Sequence, residues 1–193
     1  MTAATHTVLA IDPGSRKLGW AVVLRRGQAL QVLASGTLRL DVKATLPQRL
    51  GAILTELTLL FDLHKPDALA IEAAFVHENP HTALVLGQTR GLPIALAAAR
   101  GLPVVEFPPA TVKRMVVGSG RAEKSQVQEM VKLQLALAAL PQEDEADALA
   151  VAITYHRQPQ PVASVAGGLA RGELTAAQKV WLAATAAGKR KTA

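Results

Sequence analysis

The order of strand-like and helix-like segments constrains the fold more than any other feature of this sequence. Five short apolar runs have the length of strands: 5–12, 19–26, 28–40, 67–73 and 102–107. Five longer stretches carry apolar residues at helical spacing: about 46–63, 83–99, 110–117, 122–139 and 143–156. Three strands come first, two more alternate with helices, and only helices follow. This order predicts an α/β fold with a mixed five-stranded sheet flanked by α-helices. The second helix is expected to include Pro93, which leaves a kink or break open at that position.

The character of the chain changes at Arg157. Residues 1–157 are long enough for one domain with a sizeable core. Because aromatic residues make up only 3% of the chain, that core must be aliphatic. Residues 158–193 begin with the Pro/Gly-containing segment QPQPVASVAGG and end in GKRKTA, so we expect a flexible linker and a basic C-terminal tail.

The chain contains no cysteine. This excludes disulfides, thiolate nucleophiles and zinc sites built on cysteine, and it agrees with a reducing cytoplasm. No stretch approaches the roughly 20 uninterrupted apolar residues that a spanning helix needs, so no membrane association is expected. The N-terminal MTAATHTVLAIDPG has no basic region before its apolar run, which indicates a strand rather than a signal peptide.

Two acidic residues stand at the ends of predicted buried strands. Asp12 follows Val, Leu, Ala and Ile and precedes Pro-Gly, so a turn-forming role explains it as well as a catalytic role does. Glu72 follows the apolar run ALAI with no turn residue beside it. A glutamate in that position is expected to face a partner, a metal ion or water.

Asp144 and Asp147 are three residues apart in the last predicted helix, so both lie on one helical face. Acids in a first turn also favour the helix dipole, and this alone explains Glu143 and Glu145. Together with the two strand-end acids, however, the aspartates can form a pocket of four carboxylates, which a protein tolerates mainly when cations neutralise it. All-oxygen ligands favour Mg²⁺ or Mn²⁺, and two such ions suit phosphodiester hydrolysis.

A basic segment with a glycine-rich turn precedes that helix. Its basic residues are Lys113, Arg114, Arg121, Lys124 and Lys132, against the acids Glu123 and Glu129. A phosphate backbone needs such a local field, whereas the net charge of +6 for the whole chain is weaker evidence. Each lysine taken alone is explained as a solvated surface charge. Together with the turn GSGRAEK, the group predicts phosphate binding.

Phe75 lies three residues after Glu72, just before the polar loop VHENPH. It either anchors that loop in the core or exposes a ring that stacks on an unpaired base. His77 and His81, in the same region, are interpreted as polar loop residues rather than as metal ligands.

Five motifs, in this order along the chain, resemble the bacterial RuvC family of Holliday junction resolvases: IDPGSRKLGW, IEAAF, LGQTRG, GSGRAEKSQVQ and DEADALAVAI. The match covers roughly residues 7–156, and the ordered set is far more specific than any one motif. The resemblance implies an RNase H-like fold and a Mg²⁺-dependent homodimer that nicks opposed strands of four-way junction DNA symmetrically. It also implies 5′-phosphate and 3′-hydroxyl ends, and joint action with the RuvA–RuvB branch-migration complex in recombination and repair.

The resemblance also assigns roles to individual residues. The family's catalytic carboxylates fall on Asp12, Glu72, Asp144 and Asp147, its important lysines on Lys113 and Lys124, and its junction-contacting phenylalanine on Phe75. Some relatives have His where Asp144 stands. The segment after Arg157 has no counterpart in the family pattern, and it either adds non-specific DNA affinity or only solubilises the protein.

Three other functions remain open at this stage. A related nuclease that acts on RNA or on RNA–DNA hybrids shares the carboxylates, although LGQTRG and GSGRAEKSQVQ argue against it. An actin-like or sugar-kinase ATPase domain also places a DxG loop after a strand, but such folds need two lobes, and about 150 residues are too few for both. The third is a non-catalytic junction-binding subunit, against which the intact carboxylate set argues.

Overall fold

A computed structural model of the chain describes residues 5–73 and 80–158. Within these ranges it has five strands: β1 (Thr5–Asp12), β2 (Lys17–Arg26), β3 (Ala29–Arg39), β4 (Ala68–Glu72) and β5 (Val104–Phe107). The same ranges contain five helices: α1 (Leu46–His64), α2 (Pro80–Ala99), α3 (Pro109–Val117), α4 (Lys124–Gln134) and α5 (Glu143–Arg157). The order of the elements is the predicted one.

The strands form one sheet in the order β3-β2-β1-β4-β5. β1, β2 and β3 are antiparallel neighbours, and β2 is joined to β3 at Gly27, whose φ of 62° suits a tight turn. β4 and β5 run parallel to β1 because a helix returns the chain before each of them. The sheet in the described part of the chain is therefore mixed and five-stranded, which confirms the predicted fold class.

Alternate residues of the central strands face two separate cores. Leu9, Ile11 and Ile71 lie in the core that includes residues of α1 and α2. Ala10 and Ala70 lie in the core that includes residues of α3, α4 and α5. Because side chains alternate along a strand, the sheet is a middle layer between two groups of helices. The small residues on the second side let α5 lie close to the sheet.

α5 runs through the middle of the second core. Every residue from Ala146 to His156 is buried except Asp147, which is half-buried. A helix enclosed on all sides needs apolar residues all round, and the sequence ALAVAIT supplies them. Its buried Thr154 hydroxyl donates a hydrogen bond to the carbonyl of Ala150 at 2.8 Å. None of the described helices has both the length and the hydropathy needed to cross a membrane.

α4 is shorter than predicted, whereas α2 is the single helix that the sequence predicted. α4 ends at Gln134 instead of continuing to about residue 139, because Ala136 adopts a left-handed φ of 50° and turns the chain away. α2 continues through Pro93 without a break. The buried residues of α2 lie four apart along one face: Val85, Thr89, Pro93 and Ala97. Packing of this face holds the helix together across the proline.

The predicted domain boundary lies at the end of α5. The helix ends at Arg157, and Gln158 follows it in an extended conformation. Residues from 159 onward lie outside the described part of the chain, so the predicted linker and tail stay a prediction.

Candidate active site

Asp12 and Glu72 lie beside each other at one edge of the sheet. Asp12 is the last residue of β1, and Glu72 is the last residue of β4. The two strands are parallel and pair as far as Ile11 and Ile71, so the residues that follow are level with each other. By strand alternation both carboxylates face the same side of the sheet as Ala10, which is the side that α5 covers.

Asp144 and Asp147 lie in the first two turns of α5, over the same edge of the sheet. Gly19 sets how closely α5 approaches this edge. It is opposite Asp12 in the β1–β2 ladder, and a Cβ added to it would lie 1.8 Å from the carbonyl oxygen of Asp144. The main chain of α5 therefore rests directly on β2. As a result, Asp12 interacts electrostatically with the carboxylates of Glu72, Asp144 and Asp147.

Burial and mutual repulsion raise the pKa values of three of these groups. Burial is the largest cause of the rise in the pKa of Asp12 to about 8, and the negative charges of Glu72, Asp147 and Asp144 add to it. Burial and the charge of Asp147 raise the pKa of Glu72 to about 7. Burial also raises the pKa of Asp147. The rise in these pKa values shows that nearby positive charge does not offset burial and repulsion at this site.

Lys113 of α3 and Lys124 of α4 are basic residues that act on this cluster. The positive charge of Lys124 opposes the rise in the pKa values of Asp12, Glu72 and Asp147. The charge of Lys113 opposes the rise for Glu72 and Asp147. Both lysines therefore lie where they can attract a phosphate next to the carboxylates.

Lys124 also has a carboxylate partner of its own. Its Nζ donates a hydrogen bond to Glu143, and this bond raises the pKa of Lys124 and lowers the pKa of Glu143. Arg114 and Arg121 are exposed at the surface of the same segment. Of the basic residues predicted in this segment, the structure thus brings Lys113 and Lys124 to the carboxylates.

The glycine-rich turn predicted between two helices joins α3 to α4. Gly118 ends α3 with a φ of 87°, which favours glycine. The side chain of Gln126 accepts a hydrogen bond from the backbone N–H of Glu123 at 2.9 Å and so caps the start of α4. Gln128 donates a hydrogen bond to the carbonyl of Pro141 at 3.0 Å. Gln126 therefore fixes the start of α4 at Lys124, and Gln128 holds α4 against the segment that leads into α5.

Sequence reasoning missed three residues of this site: Lys17, Gly19 and Glu143. The Nζ of Lys17 lies 3.4 Å from Oδ2 of Asp144. Glu143 was explained by the helix dipole alone, but the structure adds its bond to Lys124. The short turn after Asp12 gave a signal for the first two, because an antiparallel return brings residues 17–19 back beside Asp12. Nothing in the sequence indicated their contact with α5.

The donor set suits a hard divalent cation, since carboxylate oxygens are the ligands that Mg²⁺ and Mn²⁺ prefer. The repulsion among Asp12, Glu72 and Asp147 indicates that added positive charge stabilises the cluster. Within residues 5–73 and 80–158, however, no group of three acidic or histidine side chains is placed to hold a metal ion as it stands. Metal binding here therefore requires side-chain adjustment, and Asp144 has to turn from Lys17 to take part.

Two predictions concern residues outside the described part of the chain. Phe75, with its predicted role in base stacking, lies there, and so does His77. His81 is exposed in the first turn of α2. The stacking role of Phe75 stays a prediction.

Comparisons with known proteins give one consistent result. The sequence model of one family, described as Crossover junction endodeoxyribonuclease RuvC, matches residues 8–155. A crossover junction endodeoxyribonuclease RuvC from Magnetococcus marinus is 43% identical over 177 residues, which are 89% of this chain and 97% of that protein. A protein of the same description from Klebsiella pneumoniae is 47% identical over 170 residues, which are 86% of this chain and 98% of that protein.

A solved structure shows the same fold. T. thermophilus RuvC in complex with a Holliday junction substrate superposes with a TM-score of 0.73 at 30% sequence identity. The superposition covers 78% of this chain and 93% of that chain. The four carboxylates at positions 12, 72, 144 and 147 all lie within the residues that the family matches.

Proposed function

The chain belongs to the RuvC family, the crossover junction endodeoxyribonucleases, and we propose that Asp12, Glu72, Asp144 and Asp147 form its active site. The protein is a nuclease that resolves Holliday junctions in recombination and repair. One observation carries the assignment of the site. Two parallel strand ends and the start of α5 bring four carboxylates to one edge of the sheet, where the pKa of Asp12 rises to about 8.

We assign to this cluster two divalent cations, Mg²⁺ with Mn²⁺ as a substitute, held by the same four carboxylates. When bound, the ions neutralise the cluster and supply Lewis acidity for hydrolysis of a DNA phosphodiester. Ionisation of Asp12 and Glu72 is costly without added positive charge, since their pKa values rise to about 8 and about 7. Asp144 becomes available as a ligand when its carboxylate leaves Lys17.

We assign the binding of DNA phosphates to the basic side of the cluster. Lys113 and Lys124 act on the carboxylates directly, so they are placed to hold the phosphate at the scissile bond. Arg114 and Arg121, exposed on the same segment, attract phosphates farther along the strand. Phe75 follows Glu72 by three residues, which supports a contact with the junction close to the site.

The substrate requires two cuts, one on each of two opposed strands, and a homodimer with two-fold symmetry supplies two identical sites. We therefore propose a homodimer that leaves 5′-phosphate and 3′-hydroxyl ends. Exposed leucines on α1 and α2 support an interface on that side: Leu54, Leu59, Leu63 and Leu84. We further propose that the enzyme acts in the bacterial cytoplasm and works with the RuvA–RuvB branch-migration complex.

Family membership decides between the functions that the sequence left open. A nuclease of RNA or of RNA–DNA hybrids and a two-lobed ATPase belong to other families, whereas the RuvC family matches residues 8–155. A non-catalytic junction-binding subunit would not need the acidic cluster, whose repulsion raises the pKa values of its members.

The proposed function is tested with a synthetic four-way junction and three control substrates: a linear duplex of the same sequence, an RNA–DNA hybrid and single-stranded RNA. Each is incubated with the protein in Mg²⁺, in Mn²⁺ and in EDTA. We expect paired nicks at symmetric positions of the junction, which DNA ligase seals, and we expect them only with metal. Preferential cutting of the hybrid or of RNA, or nicks that ligase cannot seal, would contradict the proposal.

A further inference from the structure

Lys17 lies beside Asp144, one of the four carboxylates of the proposed active site. It is the first residue of β2, and its Nζ lies 3.4 Å from Oδ2 of Asp144. Its side chain is 48% exposed. An exposed ion pair at this distance contributes little to stability, so Lys17 can exchange Asp144 for another anion at low cost.

The surrounding structure fixes Lys17 in this place. Leu18, the next residue, is fully buried, and Gly19 lies against the main chain of Asp144. Across the β2–β3 ladder the partner of Lys17 is Arg39, whose Nη2 donates a hydrogen bond to the side chain of Gln142 at 2.8 Å. The β2–β3 edge therefore presents two cations at the start of α5.

A third cation, from a different element, also contacts the start of α5. Lys124, at the start of α4, bonds to Glu143, and Lys17 pairs with the next residue, Asp144. Neighbouring carboxylates at the start of one helix are thus held by lysines from two different elements.

Metal binding changes what Lys17 faces. While Asp144 is free, it neutralises Lys17, and the basic edge of β2 and β3 is partly masked. If Asp144 bound a divalent cation instead, Lys17 would keep its charge and lose its ion pair with Asp144, with the exposed Glu143 as its remaining acidic neighbour. An unpaired lysine beside a polyanion gains most from a phosphate contact.

We propose that Lys17 binds a phosphate of the strand that is cut, next to Asp144 at the start of α5. This inference rests on the proposed function, since it takes the carboxylate cluster as the cleavage site. The competing interpretation is that Lys17 only neutralises Asp144 and never contacts DNA. The two interpretations differ in what removal of the Lys17 charge changes. If Lys17 binds a phosphate, the affinity for DNA falls; if it only neutralises Asp144, the affinity for the metal ion alone changes.

The experiment combines Lys17→Gln with junctions in which a single phosphate is replaced by a neutral methylphosphonate, one position at a time around the nick. Binding is measured with Ca²⁺ in place of Mg²⁺, since carboxylates also ligate Ca²⁺, and electrophoresis confirms that the junction stays intact. We expect Lys17→Gln to weaken junction binding and to lower the slope of log Kd against log salt by about one. At the one phosphate that Lys17 contacts, the methylphosphonate should weaken junction binding by the wild type. The same methylphosphonate should hardly change binding by Lys17→Gln, because that variant has already lost the contact.

Two further variants serve as controls. Lys65→Gln removes the same charge from an exposed lysine at the end of α1. Lys65 precedes β4, and Glu72 lies at the other end of that strand. Lys65→Gln should leave binding and the phosphate profile unchanged. Lys17→Arg keeps the charge and should restore most of the binding, which separates a charge effect from a folding defect.

The inference is overturned if Lys17→Gln matches the wild type in affinity, salt slope and phosphate profile. It is also overturned if Lys17→Gln changes only the Ca²⁺ concentration at which junction binding is half-maximal, and leaves the affinity at saturating Ca²⁺ unchanged. Asp12→Asn is assayed for cleavage in parallel. If Asp12→Asn cuts junctions normally, the proposed function fails as well. If it is inactive while Lys17→Gln behaves as wild type, only the inference about Lys17 fails.

Discussion

Gly19 and Asp144 are in contact through their main chains, and a Cβ added to Gly19 would lie only 1.8 Å from the Asp144 carbonyl oxygen. Gly19 is also the ladder partner of Asp12. A single glycine therefore sets the distance between the carboxylate of β1 and the two carboxylates of α5. The requirement here is space, because any side chain at this position would push α5 off the sheet.

Substitution of Gly19 by alanine tests this relationship. We expect Gly19→Ala to lower the free energy of unfolding by about 1–3 kcal/mol, the usual cost of overpacking, and to weaken metal-dependent cleavage because Asp144 and Asp147 move away from Asp12. Gly51→Ala is the matched control, since a Cβ at Gly51, within α1, meets nothing within 4 Å. That change should stabilise the protein by about 0.5–1 kcal/mol. Urea denaturation measures both, and equal effects of the two variants would contradict the packing role of Gly19.

The raised pKa values predict how the stability of the metal-free protein depends on pH. In the native state the pKa of Asp12 is about 8 and that of Glu72 is about 7, while unfolded carboxyl groups titrate near 4. The native state therefore holds protons that the unfolded chain has lost, and stability falls as the pH rises from about 4 through about 8. Burial lowers the pKa of His156 to about 4, so near pH 6.5 this histidine binds a proton only in the unfolded chain. It adds a smaller effect of opposite sign, which is largely complete by about pH 7.5.

Thermal unfolding in EDTA at about pH 6.5 and about pH 8.5 measures this effect. The Tm should be lower at the higher pH, and Mg²⁺ should raise it more at pH 8.5, where the carboxylates are ionised. Asp12→Asn should reduce the loss and should stabilise the metal-free protein at pH 8.5 by several degrees, since one pKa unit corresponds to about 1.4 kcal/mol. The same pH dependence in wild type and Asp12→Asn would show that Asp12 is not the titrating group.

The bond between Glu143 and Lys124 predicts an effect of opposite sign on DNA binding. In the protein without DNA, Glu143 is hydrogen-bonded to Lys124, the lysine that we assign to phosphate binding. Glu143→Gln should therefore tighten junction binding, by up to roughly fivefold for an exposed ion pair. Glu145→Gln removes the same charge from the same helical turn, but Glu145 accepts its hydrogen bond from Ser35 at 2.7 Å and does not face Lys124. If both variants tighten binding equally, the effect is one of net charge and the pairing with Lys124 is irrelevant.

The C-terminal segment has a separate prediction. Residues 158–193 carry five basic residues and one acid. If they add non-specific DNA affinity, deletion of 159–193 should lower the salt dependence of junction binding by at least about one unit of slope, while Mg²⁺ still stabilises the shortened protein. Fluorescence anisotropy at several salt concentrations measures the slope. An unchanged slope would assign this segment no electrostatic role in binding.

Much of the fold could be predicted from local patterns. The apolar runs that end at Asp12 and Glu72 gave the strands, and the spacing of Asp144 and Asp147 gave a shared helical face. The end of α4 could not be predicted, because Ala136 carries no sequence signal for its left-handed φ of 50°. The helix through Pro93 was predicted, and the packing of its buried face explains why the proline does not break it.

The site was predictable where one element decides the position of a residue, and unpredictable where two elements meet. Strand ends placed Asp12 and Glu72 without knowledge of the packing. The contacts of Lys17 and Glu143 depend on how closely α5 approaches β2 and α4, which is set by Gly19 and by the bond from Gln128 to Pro141. Such distances come from tertiary packing, and a single sequence does not contain them in readable form.

Single-turnover cleavage of a four-way junction by carboxylate variants tests the central claim most directly. Asp12→Asn and Glu72→Gln remove one charge each and keep the size of the side chain. Changes in residues that only orient a metal ligand already cost about 10–100-fold. We therefore predict that each variant loses at least about 100-fold in cleavage rate with Mg²⁺, while it binds the junction at least as tightly as the wild type. Cleavage by either variant at a rate close to that of the wild type would contradict the assignment of the active site.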